Sequence, residues 1–415
     1  RLHQHASFLR LAPVPSGVEL RLEGTGEALA LRFVLPQEQA TLLDVLRRFQ
    51  VGHIHYHHLL GHRPDICDLP EQLGVSYDFT AHDFYSYCPQ ISLTDHTDRY
   101  CGELGLDQCH RCLRRNPAPG GEGIESWRDR HARLLSRARY VLTPSADTAQ
   151  RIKRFVPTAR VCVVPHATLE LEPTVQPVPR VRQLTDQQAL KVVVLGALSR
   201  IKGADVLEEV ATLAARQDQP IEFHLLGFGY RNLRTQPKAR LTVHGAYDDK
   251  DLQQLLQWLQ PDLVWFPAVW PETYSYTLSA SLESGLPIVA PSLGAFAERL
   301  QQREWTWLCD WDWSAAQWLA FFARIRAQHF CSGNRPEVVK PTLPTGAGAQ
   351  APFSYRESYF QGLPDSPTVE AAGLAELAHA IAQHQSQSLA ANQASTVIKS
   401  STLRTLARLR AHPAL

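Results

Sequence analysis

The chain of 415 residues contains no methionine, where average usage would give roughly eight. Starting at Arg1 without one, it reads as an unusual composition or as a part of a longer polypeptide. No apolar run comes near the roughly 20 residues needed to cross a bilayer, and no signal peptide is visible. The expectation is therefore a cytoplasmic protein with at most peripheral contact at the inner face of a membrane. An excess of either charge is also missing, since 42 Lys and Arg balance 41 Asp and Glu for a net charge of +1. No nucleic acid or other polyanion is expected as a partner. There is no GxSxG, Walker loop, HExxH or carboxylate pair at glycosidase spacing, which disfavours a hydrolase. There is no internal repeat either, and no low-complexity run long enough to carry function.

What is present is an ordinary globular composition, 44% hydrophobic, with length for two domains. The segment WFPAVWPETYSYTLSASLESGLPIVAP, from Trp265 to Pro291, is its most informative stretch. It predicts a buried strand, a loop with one acid, Glu272, a helix rich in small residues, and a second apolar strand after Gly285 and Pro287. In such a βαβ unit a ligand sits at the carboxyl ends of the strands, which is where Glu272 falls. The helix would turn its first amides, from Tyr274, Ser275, Tyr276 and Thr277, toward the same spot, a setting that suits a phosphate.

The order of these features resembles the carboxyl-terminal domain of retaining glycosyltransferases with the two-Rossmann GT-B architecture, of the family 4 type. That resemblance implies an α/β fold with two Rossmann-like domains facing a cleft and a C-terminal helical tail. It also implies transfer of a sugar from a nucleoside diphosphate sugar, UDP or GDP type, to a glycan or lipid-linked acceptor in bacterial surface polysaccharide biosynthesis, with no metal or cofactor in catalysis. Glu272 matches the first of the family's two glutamates, which faces the donor sugar. The second would fall on Ala280, with Glu283 the nearest acid. KVVVLGALSRIKGADVLEEVATLA matches the family's strand, glycine turn and helix, so Gly196, Lys202 and Gly203 fall at the donor diphosphate. The family's arginine after that first glycine is Ala197 here, and Arg200 takes its place. Gly227, Gly229 and Gly245 mark the next two turns.

In the amino-terminal half, LGVSYDFTAHDFYSYCPQ ends a strand in His82 and Asp83, like the family's strand end beside the donor sugar. The resemblance implies that His82 hydrogen bonds a sugar hydroxyl and that Asp83 orients it or an acceptor; the plain alternative is that both satisfy a strand end. His53, His55, His57, His58 and His62 fall in HIHYHHLLGH, which is ordinary before a helix in this family and weak as a metal site. The family's opening strand and glycine-rich loop are not evident before GVELRLEG and LALRFVLP.

Four of the eight cysteines, Cys88, Cys101, Cys109 and Cys112, lie in one loop-rich stretch with a CxxC at its end. Structural zinc, disulfides and plain thiols all remain open, zinc being favoured because the loop has few apolar residues of its own. Five of nine tryptophans fall in WTWLCDWDWSAAQWLAFF, read as a packed sheet edge or as a stacking surface for a sugar or lipid. The markers divide the chain into a Rossmann-like acceptor domain at 1–173, a linker at 174–189, a Rossmann-like nucleotide-sugar domain at 190–334, and at 335–415 a linker, a return helix within FSYRESYF, and a helical tail ending in the basic amphipathic TLRTLARLRAH. Ala280 and Ala197 keep a second class open, a catalytically silent GT-B-like module that binds glycan or a partner.

Overall fold

The computed structural model describes residues 8–23, 29–166, 177–338, 353, 358–361 and 363. The expected tail after Leu363, most of the 335–352 linker and part of the return segment lie outside them. The chain divides into two compact units: Gly52 and the described residues before it with Leu60–Val75, and His53–Leu59 with Ser76–Leu363.

The smaller unit opens with an antiparallel meander of β1 (Phe8–Val14), β2 (Gly17–Glu23) and β3 (Leu29–Val34). Val18, Leu20, Leu22, Leu31 and Phe33 are buried, and Glu19 is buried with them because it bonds Arg21 and Arg32, at 2.8 Å in the latter case. Helix α1 (Gln39–Arg48) lies against β3 and against α2 (Leu69–Leu73), turning inward Leu42, Val45 and Leu46 at the spacing of one helical face.

The larger unit carries two parallel sheets. The first is β4 (His53–Tyr56), β5 (Ser76–Thr80), β6 (Val141–Thr143) and β7 (Val161–Val163), in that order. Between β5 and β6 the chain makes a long excursion holding α3 (Leu106–Arg115) and α4 (Ile124–Arg137), and α5 (Ala146–Phe155) links β6 to β7. The second sheet is formed by β8 (Leu190–Leu198), α6 (Ala204–Arg216), β9 (Ile221–Gly229), β10 (Leu241–Val243), α7 (Leu252–Leu259), β11 (Leu263–Trp265), α8 (Tyr276–Ser284), β12 (Ile288–Pro291), α9 (Ala295–Leu300), β13 (Thr306–Cys309) and α10 (Ala315–Ile325). Its strand order is β10-β9-β8-β11-β12-β13, all parallel. Counted from β8 that is 3-2-1-4-5-6, the doubly wound order in which the direction of winding reverses between the first and fourth strands.

Both faces of this sheet are covered, so its central strands are continuous apolar runs, with Val192, Val193 and Val194 all buried. Helix α10 brings Trp318, Leu319, Phe322 and Ile325 onto that core, and the Trp318 ring sits 5.1 Å from that of Trp265. Trp305 is likewise buried and Trp307 and Trp313 pack on the same core, which accords with the sheet-edge reading of the tryptophan-rich segment. Tyr359 from the return segment packs with Leu142 and Val164, near Phe353 and Leu363, on the first sheet.

At the carboxyl ends of β8 and β9 the backbone closes in on itself. A Cβ on Gly227, which has φ +137°, would lie 2.0 Å from the Gly196 carbonyl oxygen; one on Gly203, at φ +89°, would lie 2.1 Å from that of Pro267. Neither obstacle is a side chain that can swing away. We expect Gly227→Ala to lose about 2 kcal/mol or more of stability through the clash and the left-handed backbone together. Denaturant titration measures it, and a midpoint equal to the parent's would contradict the contact.

Candidate functional site

The reversal point between β8 and β11 is where a doubly wound sheet opens to a ligand. Off β8 come Gly196, Arg200, Lys202 and Gly203; off β11 comes the loop to Ser275 with Glu272. Gly294, at φ +61°, lets α9 press against this loop, since a Cβ there would stand 2.6 Å from the Glu272 carbonyl oxygen, and the Ala295 N–H donates to that oxygen at 2.8 Å. Ser275 has φ 68°, unusual for a residue with a side chain, and its Oγ caps α8 by accepting from Leu278 N at 3.3 Å. Arg299 braces the turn. Its guanidinium donates to the carbonyls of Tyr274 and Ser275 at 2.7 and 2.9 Å and to Ser279 Oγ at 2.8 Å, while lying 4.2 Å from the Tyr274 ring centre.

Burial raises the Glu272 carboxyl above the usual carboxylate range, opposed by the nearby charge of Lys202 and by the Ser275 hydroxyl. Lys202 is exposed. Thr277 lies close over Gly196, where a Cβ would meet its methyl at 3.2 Å, and Tyr276 is 69% exposed. Arg200 is tied to Asp98 at 2.9 Å, Tyr230 at 3.2 Å and Asp205 at 3.3 Å. Ala280, where the family's second acid would stand, is on α8 with its carbonyl accepting from Gln253, and Glu283 is exposed to solvent.

The ends of the first sheet's strands meet this site. Thr273 Oγ1 donates to the His82 carbonyl at 2.7 Å, joining the loop of Glu272 to the strand end of His82 and Asp83. His82 belongs to a column of stacked rings: His55 on His57 at 4.3 Å, His57 on His82 at 5.5 Å, His82 on His166 at 5.5 Å, and His166 on Tyr276 at 5.7 Å. Burial pushes His55 down to about 3 and His82 to about 4, and lowers His166, so these rings are neutral near pH 7. Asp83 is buried with both oxygens engaged, one by His58 Nε2 at 2.6 Å and one by Tyr85 N–H at 2.8 Å.

The cysteine-rich excursion reaches the same region. Thr94 bridges Tyr100 to make a small hairpin, whose Tyr100 N–H donates to the Val269 carbonyl at 2.8 Å and whose Asp98 meets Arg200. Arg151 anchors it from α5 through Glu103 and through Tyr100 Oη at 2.9 Å. Cys88 is pushed up to about 12 by burial, and Cys101, Cys109 and Cys112 are close enough to add to the effect. All four are free thiols. Among the described residues no group of three or more His, Cys, Asp or Glu side chains is arranged to hold a metal ion, so the expected zinc closure is not formed by this arrangement.

Beyond β9 and β10 lies a cavity of about 280 Å³, lined by Leu226, His244, Ala246, Tyr247, Leu255 and Trp258 together with Gly245. Gly245 bridges Gly227, which packs on Gly196, so the cavity and the Glu272 loop flank one shelf of glycines. Sequence reasoning passed over Arg299, His166 as a ring of the column, and this lining. The histidine before Gly245 in LTVHGAY was the visible trace of the cavity; Arg299, whose partners are backbone carbonyls, left none.

Residues 189–321 match the family Glycosyl transferases group 1. No curated protein matches the chain. Among solved structures, a sucrose-phosphate synthase from Thermosynechococcus elongatus is similar at 14% identity and TM-score 0.43, over 71% of this chain and 69% of that one. HepE from Anabaena in complex with UDP is similar at 13% identity and TM-score 0.43, over 70% and 73%. The catalytic domain of Starch Synthase IV from Arabidopsis thaliana is similar at 13% identity and TM-score 0.38, over 79% and 85%. No helix of the described residues is long and apolar enough to cross a membrane.

The raised carboxyl of Glu272 has a thermodynamic consequence. Its folded pKa exceeds its unfolded one, so holding it ionised costs stability above the folded pKa, and that cost vanishes below the ordinary value of 4.5. Glu272→Gln should therefore raise the melting temperature by a few degrees at pH 8 and leave it unchanged near pH 4. Equal melting temperatures at pH 8 would contradict a desolvated carboxylate.

Proposed function

We propose that the protein is a glycosyltransferase that moves a sugar, with retention at the anomeric carbon, from a nucleoside diphosphate sugar to a glycan or lipid-linked acceptor. The observation that carries this reading is a half-buried carboxyl, Glu272, beside Lys202 and the start of α8 at the reversal point of a doubly wound sheet. The match of residues 189–321 to a glycosyltransferase family supports it.

In this reading the bond from the anomeric carbon to the diphosphate oxygen breaks as the acceptor oxygen arrives on the same face. The departing diphosphate takes the acceptor's proton. Lys202, Arg200 and the amides of Ser275 to Thr277 neutralise the charge that develops, without a metal, and Gly196, Gly203 and Gly227 let the backbone come close to it. Glu272 faces the sugar; His82 bonds one of its hydroxyls as a neutral imidazole, and Asp83 holds that strand end. Synthesis of a bacterial surface glycan at the inner face of the membrane is the setting the reading favours, with UDP or GDP as the carrier.

A silent binding module is the second reading, favoured by Ala280 and Ala197 and by Arg200 already being paired with Asp98. Calorimetry with UDP, GDP and ADP separates the two, because the module need bind none of them. Glu272→Gln should keep nucleotide affinity within a few-fold and remove most sugar transfer; turnover near that of the parent would defeat the assignment. Lys202→Ala should weaken diphosphate binding and flatten its dependence on salt, because one screened charge contact is gone, whereas parental binding would remove it from the diphosphate site.

We also propose that the thiols of Cys88, Cys101, Cys109 and Cys112, already neighbours, draw together around one structural zinc. Metal analysis of the purified protein should find about one zinc per chain. Protein free of metal with four titratable thiols would leave a reduced loop.

A further inference from the structure

The first turn of α8 has amides to offer and a cation behind them. Among the described residues no oxygen of the fold accepts from the N–H groups of Ser275, Tyr276 and Thr277, whereas that of Leu278 reaches Ser275 Oγ at 3.3 Å. Arg299 Nη1 donates to the carbonyls of Tyr274 and Ser275 at 2.7 and 2.9 Å, and Nη2 to Ser279 Oγ at 2.8 Å. Both peptide groups are trans, and in a trans peptide the C=O and the next N–H point to opposite sides. The N–H groups of Ser275 and Tyr276 therefore face away from the guanidinium.

The bonds of this guanidinium all go to neutral oxygens, and no carboxylate among the described residues joins them. Glu298, its neighbour on α9, has both oxygens taken by the first amides of α5, Ala146 N–H at 3.0 Å and Asp147 N–H at 2.9 Å. Arg200, by contrast, is paired with Asp98 at 2.9 Å. Arg299 is half-buried. Burial lowers its pKa, opposed by Tyr274 and Glu298, and a guanidinium stays protonated at any ordinary pH. Its field reaches the site, since after burial it is the main influence lowering His166, whose ring stacks on that of Tyr276 at 5.7 Å.

We propose that Arg299 is a positioning residue for the donor diphosphate, acting as an unshared positive charge through the two peptide groups it holds. This rests on the reading of the α8 start as the diphosphate site. Guanidinium, carbonyl, amide and phosphate would stand in series, and hydrogen bonds in such a series strengthen one another by roughly 10–30% each. A negative ligand also feels the charge itself, at a helix end that already favours anions. The fork matters as well as the charge. Ser275 has φ 68°, so without donors on its own carbonyl and the preceding one the two amides would not be held to one direction.

The probes are UDP and uridine, with GDP and guanosine as the second series, titrated into the full chain by calorimetry. In Arg299→Gln affinity for the diphosphate should fall about tenfold while the nucleoside stays within about twofold of the parent, because the lost charge acts on phosphate alone. Arg299→Lys keeps the charge and loses the fork, so its diphosphate affinity should lie between the two. The dependence of diphosphate binding on salt should flatten in Arg299→Gln and stay near the parent's in Arg299→Lys. A missing brace could also loosen the turn, so the Gln exchange is repeated in Ser275→Gly, whose glycine takes the left-handed backbone unaided. The loss of diphosphate affinity should persist there. Parental diphosphate affinity in Arg299→Gln, equal losses in the Gln and Lys variants with the same salt dependence, or a loss that disappears in Ser275→Gly would overturn the charge role alone. A parent protein that binds neither UDP nor GDP would overturn the donor-site reading, and the role of Arg299 with it.

Discussion

Backbone pressed against backbone, with no room for a side chain between, is what the candidate site rests on. Gly203 lies on the Pro267 carbonyl, Gly294 on the peptide of Glu272, and Gly227 on Gly196. The loop from β11 is thus gripped at its start by α6 and further along by α9. Its Ser275 takes a left-handed conformation that costs on the order of 1–3 kcal/mol for a residue with a Cβ. The offset comes from the α8 cap and from Arg299, whose donors hold the very carbonyls that this conformation turns outward. Remove one of these contacts and the first turn of α8 would no longer point where Glu272 does.

The two candidate acids live under opposite conditions. Asp83 has both oxygens taken by an imidazole and a backbone amide, so its negative charge is already spent inside the fold. Glu272 is desolvated and opposed mainly by Lys202 from across the loop. The cysteine-rich hairpin is governed by a third condition. Its exposed Asp98–Arg200 pair is worth roughly 0–1 kcal/mol, and the buried network of Arg151 with Glu103, Tyr100 and Asp147 does more to hold it.

Much of the second sheet was legible because its strands are buried on both faces. KVVVLGAL and PIVAP can hardly be anything else, and glycine supplies the positive φ within the first, at Gly196, and at the helix end that precedes the second, at Gly285. Glu272 was legible from its place between two such strands. The hairpin's docking on Val269 was not, since it is a main-chain hydrogen bond between residues 169 positions apart, Tyr100 and Val269. Arg299 was hidden for the same reason, and His244 because its partner His224 lies on another strand. The cysteines were legible as a neighbourhood but not as a metal site, because spacing says which thiols meet and nothing about the angles at which they do.

The column of imidazoles makes the fold a sensor of acid. His55, His82 and His166 are held below the 6.5 of a free imidazole, His55 at about 3 and His82 at about 4, so between those limits the unfolded chain binds protons that the folded chain refuses. Linkage then requires stability to fall as pH drops from about 6.5 toward 4 and to be regained on neutralisation. Unfolding curves at pH 7 and pH 5 would reveal that loss of stability by their separation.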